Sequence, residues 1–242
     1  MTLSSPKGND EAAVKVPAIL ALEASGDLLA VAVWVQGAVR EHQAHVARHG
    51  HAAHIATLVE QVMENAGVRF ADITHLAAGR GPGSFTGIRV ALAAAKGFCL
   101  VTGAVGMGIN GLAALAAHYG SGIPVLVSAE TRRGPCYAQL FGDGGKALTS
   151  IFEIEPADIL ASLPAGLTDL AIVGWKADEI AASLLVAGCG IRVMAVHAAA
   201  RVDAAQIATC AAALIKVDDP GEAMTPLYLA PAFLGPAKQA GQ

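Results

Sequence analysis

Eleven consecutive residues, Gly79-Arg80-Gly81-Pro82-Gly83-Ser84-Phe85-Thr86-Gly87-Ile88-Arg89, constrain this chain more than any other stretch. They stand between an apolar, strand-like run from Ile73 to Ala78 and a long Ala-rich segment from Val90 to Val101. A strand, a glycine turn and a helix in that order place free backbone N–H groups at a helix N-terminus, where an anion can bind. The same glycines also let a second backbone approach closely.

Three nucleotide-site readings apply to such a turn. A Walker A loop needs Lys directly after its glycines, and here the first Lys is Lys96. Gly81 to Thr86 approaches the dinucleotide fingerprint, but no Asp or Glu occurs between Gly87 and Ala129 to hold a ribose. What stays open is an anion or partner-carboxylate site made by Gly81, Gly83, Ser84, Thr86 and Gly87, or a turn in which Ser84 only caps the helix. Behind the turn the only charges up to Val101 are Arg89 and Lys96, seven residues apart and so on one face. The rest is apolar or small, which predicts a helix buried on more than one side and a close helix–helix contact.

The remaining chain reads as an α/β protein. Ala18–Ala24 and Leu28–Val35 form a hairpin through Ser25-Gly26-Asp27, and Val39–Val46 a third, more polar strand. Ile55, Leu58, Val59, Val62 and Met63 recur at helical spacing across His51 to Ala66. A second series follows: a helix over Asn110–His118, strands over Pro124–Ser128, Cys136–Phe141 and Leu170–Gly174, a helix over Lys176–Val186, and a strand over Arg192–Val196. It closes with a helix over Asp203–Ile215, which Asp203 caps. Two related halves, each a mixed sheet flanked by helices, are the natural architecture: 17–108 and 109–233, with a disordered tail over 1–16 and a flexible one over 234–242.

The net charge of −4 supplies no basic field to hold a polyanion unaided. Four scattered cysteines predict neither a disulfide frame nor a zinc site and fit a reduced cytoplasm. The first residues, with Lys7, Asp10, Glu11 and Lys15, lack the apolar core of a signal peptide. The longest uncharged run, 97–129, is broken by seven glycines and a proline, so no membrane span is expected there. Five of the eight histidines fall between His42 and His54. Their spacing brings no acidic third ligand with it, so no metal site is expected. Asp218-Asp219-Pro220-Gly221-Glu222 reads as a solvated turn.

The turn, with Ala95-Lys96-Gly97 after it, closely resembles the signature of the TsaB (YeaZ) family. Further similarity lies in Ile19 to Ser25, Gly50-His51-Ala52, Ala71-Asp72-Ile73, Arg132-Arg133-Gly134 with Tyr137, and Pro226-Leu227-Tyr228-Leu229, so that it runs from Val16 to about Phe233. The chain departs from the family pattern at Glu23-Ala24, Ala53 and Glu130-Thr131. The resemblance implies an actin-like ATPase (ribonuclease H-like) fold of two related halves. It also implies a cytoplasmic, non-catalytic subunit that binds and activates TsaD in forming threonylcarbamoyladenosine on ANN-decoding tRNAs. The ATPase TsaE is the further partner, tRNA is met indirectly, and a homodimer forms when TsaD is absent. No cofactor of its own is implied, and a nucleotide at the TsaD interface is left open. The interface would use His51, Ile55, Leu58 and Val62 of the first helix, and Arg89, Leu92, Ala94, Ala95 and Lys96 of the second. The rival readings are an active actin-like ATPase or sugar kinase using Glu23, Asp27 and Glu130, and a metallopeptidase of the related fold.

Overall fold

The computed structural model describes residues 16–46, 50–120, 122–131 and 133–229. The two expected tails lie outside these residues, except for Val16, as do His49 and Arg132. Strands β1 (Ala18–Glu23), β2 (Leu28–Val35) and β3 (Ala38–Val46) form an antiparallel meander. After α1 (His51–Ala66), strands β4 (His75–Gly79) and β5 (Val105–Ile109), joined by α2 (Phe85–Thr102), add in parallel on the other side of β1. The sheet order is β3-β2-β1-β4-β5.

Following α3 (Gly111–Tyr119), the second lobe repeats this plan. Strands β6 (Val125–Glu130), β7 (Cys136–Phe141) and β8 (Phe152–Ile154) meander, then β9 (Asp169–Gly174), α4 (Ala177–Ala187) and β10 (Arg192–His197) follow. The order β8-β7-β6-β9-β10 matches the first sheet strand for strand. Two related halves are therefore present, each a five-stranded mixed sheet with helices. Strands β5 and β8 are additions to the sequence reading: β5 carries Gly106 and Gly108, and β8 has only three residues.

The local reasons are simple. β1 is buried along its whole length and is apolar from Ala18 to Leu22, as a central strand covered on both faces must be. β3, at the edge, carries Arg40, Glu41 and Gln43 and is blunted by them. The lobes exchange their last helices. α3 packs Leu112, Leu115 and Ala116 against Val125, Val127 and Phe141 of the second sheet. α5 (Ala204–Lys216) packs Ile207, Ala208 and Ala211 against Ile19, Ala21 and Met107 of the first. A full capping box starts α5: Asp203 accepts from Ala205 N at 2.8 Å, and Gln206 accepts from Asp203 N at 3.1 Å.

α2 departs from the expected burial on more than one side. Gly87, Ile88, Ala91, Leu92 and Ala95 face the first sheet, while Ala93, Gly97 and Leu100 stay exposed, Leu100 at 89%. The isolated chain uses one face of this helix and leaves the other bare. Among the described residues α2 is also the one helix long and apolar enough to cross a membrane by length and composition. In this fold it lies on the sheet.

Candidate functional site

The glycine turn is pressed onto the β1–β2 hairpin. Ser84 N donates to Ser25 O at 2.6 Å, and the Ser84 hydroxyl accepts from Gly87 N at 3.3 Å, capping α2. A Cβ at Gly87 would overlap the Ala24 carbonyl oxygen, one at Gly83 the Ser25 carbonyl, and one at Gly79 the Glu23 carboxylate. Each of these glycines is required by another part of the same chain. Of the predicted anion-site residues, Gly81 and Gly87 are buried, Gly83 and Ser84 half-buried, and Thr86 exposed.

Glu23 sits beneath the turn, fully buried. Its Oε1 accepts from Ser25 N, and its Oε2 has no hydrogen-bond partner among the described residues. Burial pushes its carboxyl above the usual glutamate range, more than the Ser25 hydrogen bonds pull it down. The cleft between the lobes is lined by Ser25, Asp27, Ser84, Ser128, Glu130 and Arg201, among others, and offers about 90 Å³. Ligand pockets ordinarily need about 300 Å³ or more. Of the three acids of the ATPase reading, Asp27 and Glu130 line this cleft, whereas Glu23 lies under the turn and outside the lining.

Arg80 gives the turn a second connection that local sequence patterns missed. Its side chain is nearly buried, and burial lowers its pKa. The guanidinium donates from Nε to Thr225 O at 2.7 Å and pairs with Glu222. Glu222, expected in a solvated turn, is thus half of an ion pair 142 residues away in sequence, whereas Asp219 does hold the turn by accepting from Gly221 N. Beyond it, Tyr228 stacks on Phe85 and its hydroxyl accepts from Arg89 Nε at 2.6 Å.

α1 and α2 lie side by side, and a groove between them is lined by Ala52, Ile55, Phe85, Arg89, Val90 and Ala93, among others. The predicted interface residues divide sharply. His51, Ile55, Leu58, Val62, Leu92 and Ala95 belong to the interior, at 0–8% exposure. They support the helices from inside, and of the predicted set only Arg89, Ala94 and Lys96 reach the surface. The bare face is instead made by Ala52, Ala53 and Ala56 of α1 with Phe85, Ala93 and Gly97 of α2, a shelf of small residues ending in an aromatic.

His42 Nε2 lies 2.7 Å from Asp203 Oδ1, which raises the His42 pKa and joins β3 to the start of α5. His51 is buried at the start of α1, and His54 is exposed. Among the described residues no three His, Cys, Asp or Glu side chains group as metal ligands.

Two lobes of one strand order, exchanging a helix across a cleft, define the actin-like ATPase fold class. The chain superposes on the crystal structure of an uncharacterized protein with similarity to peptidase YEAZ from Pseudomonas aeruginosa. The TM-score is 0.72 at 21% identity, over 88% of this chain and 100% of that one. YeaZ from the same organism gives 0.69 with the same identity and coverage. In sequence, the family model described as TsaD: tRNA N6-adenosine threonylcarbamoyltransferase matches residues 39–163, more than half of the chain. The tRNA threonylcarbamoyladenosine biosynthesis protein TsaB of Escherichia coli is 32% identical over 122 residues, 49% of this chain and 52% of that protein. The chain thus spans about half the length of that curated relative. It belongs to the family of this model, and TsaB proteins are among its curated relatives.

Proposed function

We propose that this chain is a cytoplasmic, non-catalytic subunit of the machinery that makes threonylcarbamoyladenosine on ANN-decoding tRNAs, and that it binds and activates a TsaD-family transferase. TsaB relatives are named for this biosynthesis. The observation that carries the reading is the bare α1–α2 face, whose small residues Ala52, Ala93 and Gly97 let a partner backbone approach. Small residues and an aromatic edge suit a helix-on-helix contact.

In this reading the same face pairs two copies of the chain when the transferase is absent. TsaE joins the assembly, tRNA is held by the partners, and the chain carries no cofactor of its own. A net charge of −4 agrees with an indirect tRNA contact. The test is reconstitution of the tRNA modification from purified components with wild-type chain and with Ala93→Arg. Ala93 is exposed, so the variant folds while its guanidinium blocks close approach. Complex formation and modification are expected to be lost together. Unchanged co-elution with the transferase removes this face from the interface, and ATP turnover by the chain alone, abolished in Glu23→Gln, overturns the non-catalytic assignment.

A further inference from the structure

The segment after α5 is tied down along its length by the glycine turn and β5. Gly108 N donates to Glu222 O at 2.6 Å, and Leu227 N donates to Arg80 O at 2.9 Å. Between them Arg80 Nε holds Thr225 O, its guanidinium pairs with Glu222, and Met224 packs where a Cβ of Gly106 would stand. A segment with little secondary structure of its own thereby becomes a fixed strap. Its end lays Tyr228 on Phe85, with ring centroids 5.1 Å apart and 23° between the planes. The Arg89 guanidinium lies 3.8 Å from the Phe85 centroid and donates to the Tyr228 hydroxyl.

We infer that this strap is a working wall of the docking face, that Phe85, Arg89 and Tyr228 form its anchor, and that Arg80 positions the anchor from within. The inference rests on the docking face proposed above. The partner segment it fits presents a carboxylate between apolar side chains. Charge complementarity carries that choice: the groove between α1 and α2 beside the anchor is lined by Arg89 and by no acidic residue. Phe85 and Tyr228 remain 36% and 44% exposed although they stack, which leaves aromatic surface to cover. The Tyr228 bond uses one of five guanidinium N–H donors and, with the contact to the Phe85 ring, holds Arg89 in place while four donors stay available to a carboxylate. Aromatic and arginine side chains held in place before binding are the residue types that dominate interface energetics.

The experiment measures affinity of the full chain for the transferase by calorimetry, together with hydrogen exchange at the Leu227 and Gly108 amides. Tyr228→Ala is expected to weaken binding about tenfold or more while those amides stay protected. Glu222→Gln, at an exposed side chain that spares the core, is expected to speed exchange at Leu227 and to weaken binding in step. Arg89→Glu is expected to weaken binding further, by like-charge repulsion. Unchanged affinity in Tyr228→Ala overturns the anchor. Faster exchange in Glu222→Gln with full affinity, or no change in exchange, overturns the positioning role of Arg80. If Ala93→Arg also binds normally, the docking face itself has failed; if Ala93→Arg abolishes binding while the strap variants bind normally, only this inference has.

Discussion

Gly87→Ala and Gly97→Ala make the same chemical change in the same helix, and the structure predicts opposite signs. Replacing glycine by alanine inside a helix is worth about 1 kcal/mol through reduced backbone entropy. At Gly97 a new Cβ meets nothing within 4 Å, so that gain is realised in full. Gly97→Ala should raise stability by about 1 kcal/mol, or about 2–4 °C in Tm for a chain of this length. At Gly87 the Cβ would fall on the Ala24 carbonyl oxygen, inside the 3.0 Å that real Cβ contacts essentially never breach. Backbone must move on one side. Overpacking of this kind costs about 1–3 kcal/mol, and separating turn from hairpin also weakens the Ser84–Ser25 hydrogen bond, worth about 1 kcal/mol more. Set against the propensity gain, Gly87→Ala should lose about 1–3 kcal/mol net. Urea unfolding followed by circular dichroism measures both variants, with m-values checked for constancy. Equal stabilisation by the two substitutions would refute the claim that the turn is seated on the hairpin.

Three further outcomes follow from the titrating and capping groups. Glu23 has its folded pKa raised above 4.5 by burial, so ionising it costs folding energy that grows as pH rises above that value; Glu23→Gln should remove this downward slope, seen as a flatter Tm profile from pH 4.5 to neutrality. The His42 pKa is raised above 6.5 by its bond to Asp203, so the pair's stabilisation is complete below 6.5 and fades as pH climbs through the folded value; His42→Gln should lose that dependence, and a slope retained in the variant assigns it elsewhere. Asp203→Ala removes both the α5 cap and the His42 partner and should cost about 1–2 kcal/mol in chemical unfolding.

Periodicity made some elements legible and misdirected others for one reason. The spacing of Ile55, Leu58, Val59 and Val62 marks α1 because those side chains face its own sheet, and Gly67 in the left-handed region ends it. The same signal does not mark exposed positions. Residues picked for apolar spacing are the ones the fold buries, so Ile55, Leu58, Val62 and Leu92 went to the interior. The surface left exposed lies in the gaps of that pattern, at Ala52, Ala93 and Gly97. β5 is illegible because Gly106 and Gly108 break a strand pattern, yet Gly108 is required where the Ala223 carbonyl presses against the strand, and Met224 packs over Gly106. The Arg80–Glu222 pair leaves no trace in any local window, since its halves meet only after both lobes are built.

The glycines of the turn bear most directly on what the chain does. A glycine-rich strand-to-helix turn is compatible with phosphate binding because backbone N–H groups must be reachable, and with close packing because a Cβ must be missing. These two uses leave different signatures. Gly79, Gly83 and Gly87 each face Glu23, Ser25 or Ala24 of the neighbouring hairpin, and Ser84 N is already bonded there. The motif thus joins hairpin to helix, while Arg80 within it joins the same helix to the C-terminal strap. That junction sits at the start of α2, and Phe85 and Arg89 stand within the helix's first turns. A turn with its glycines occupied on the inside fixes the helix whose outer face the proposed docking would use.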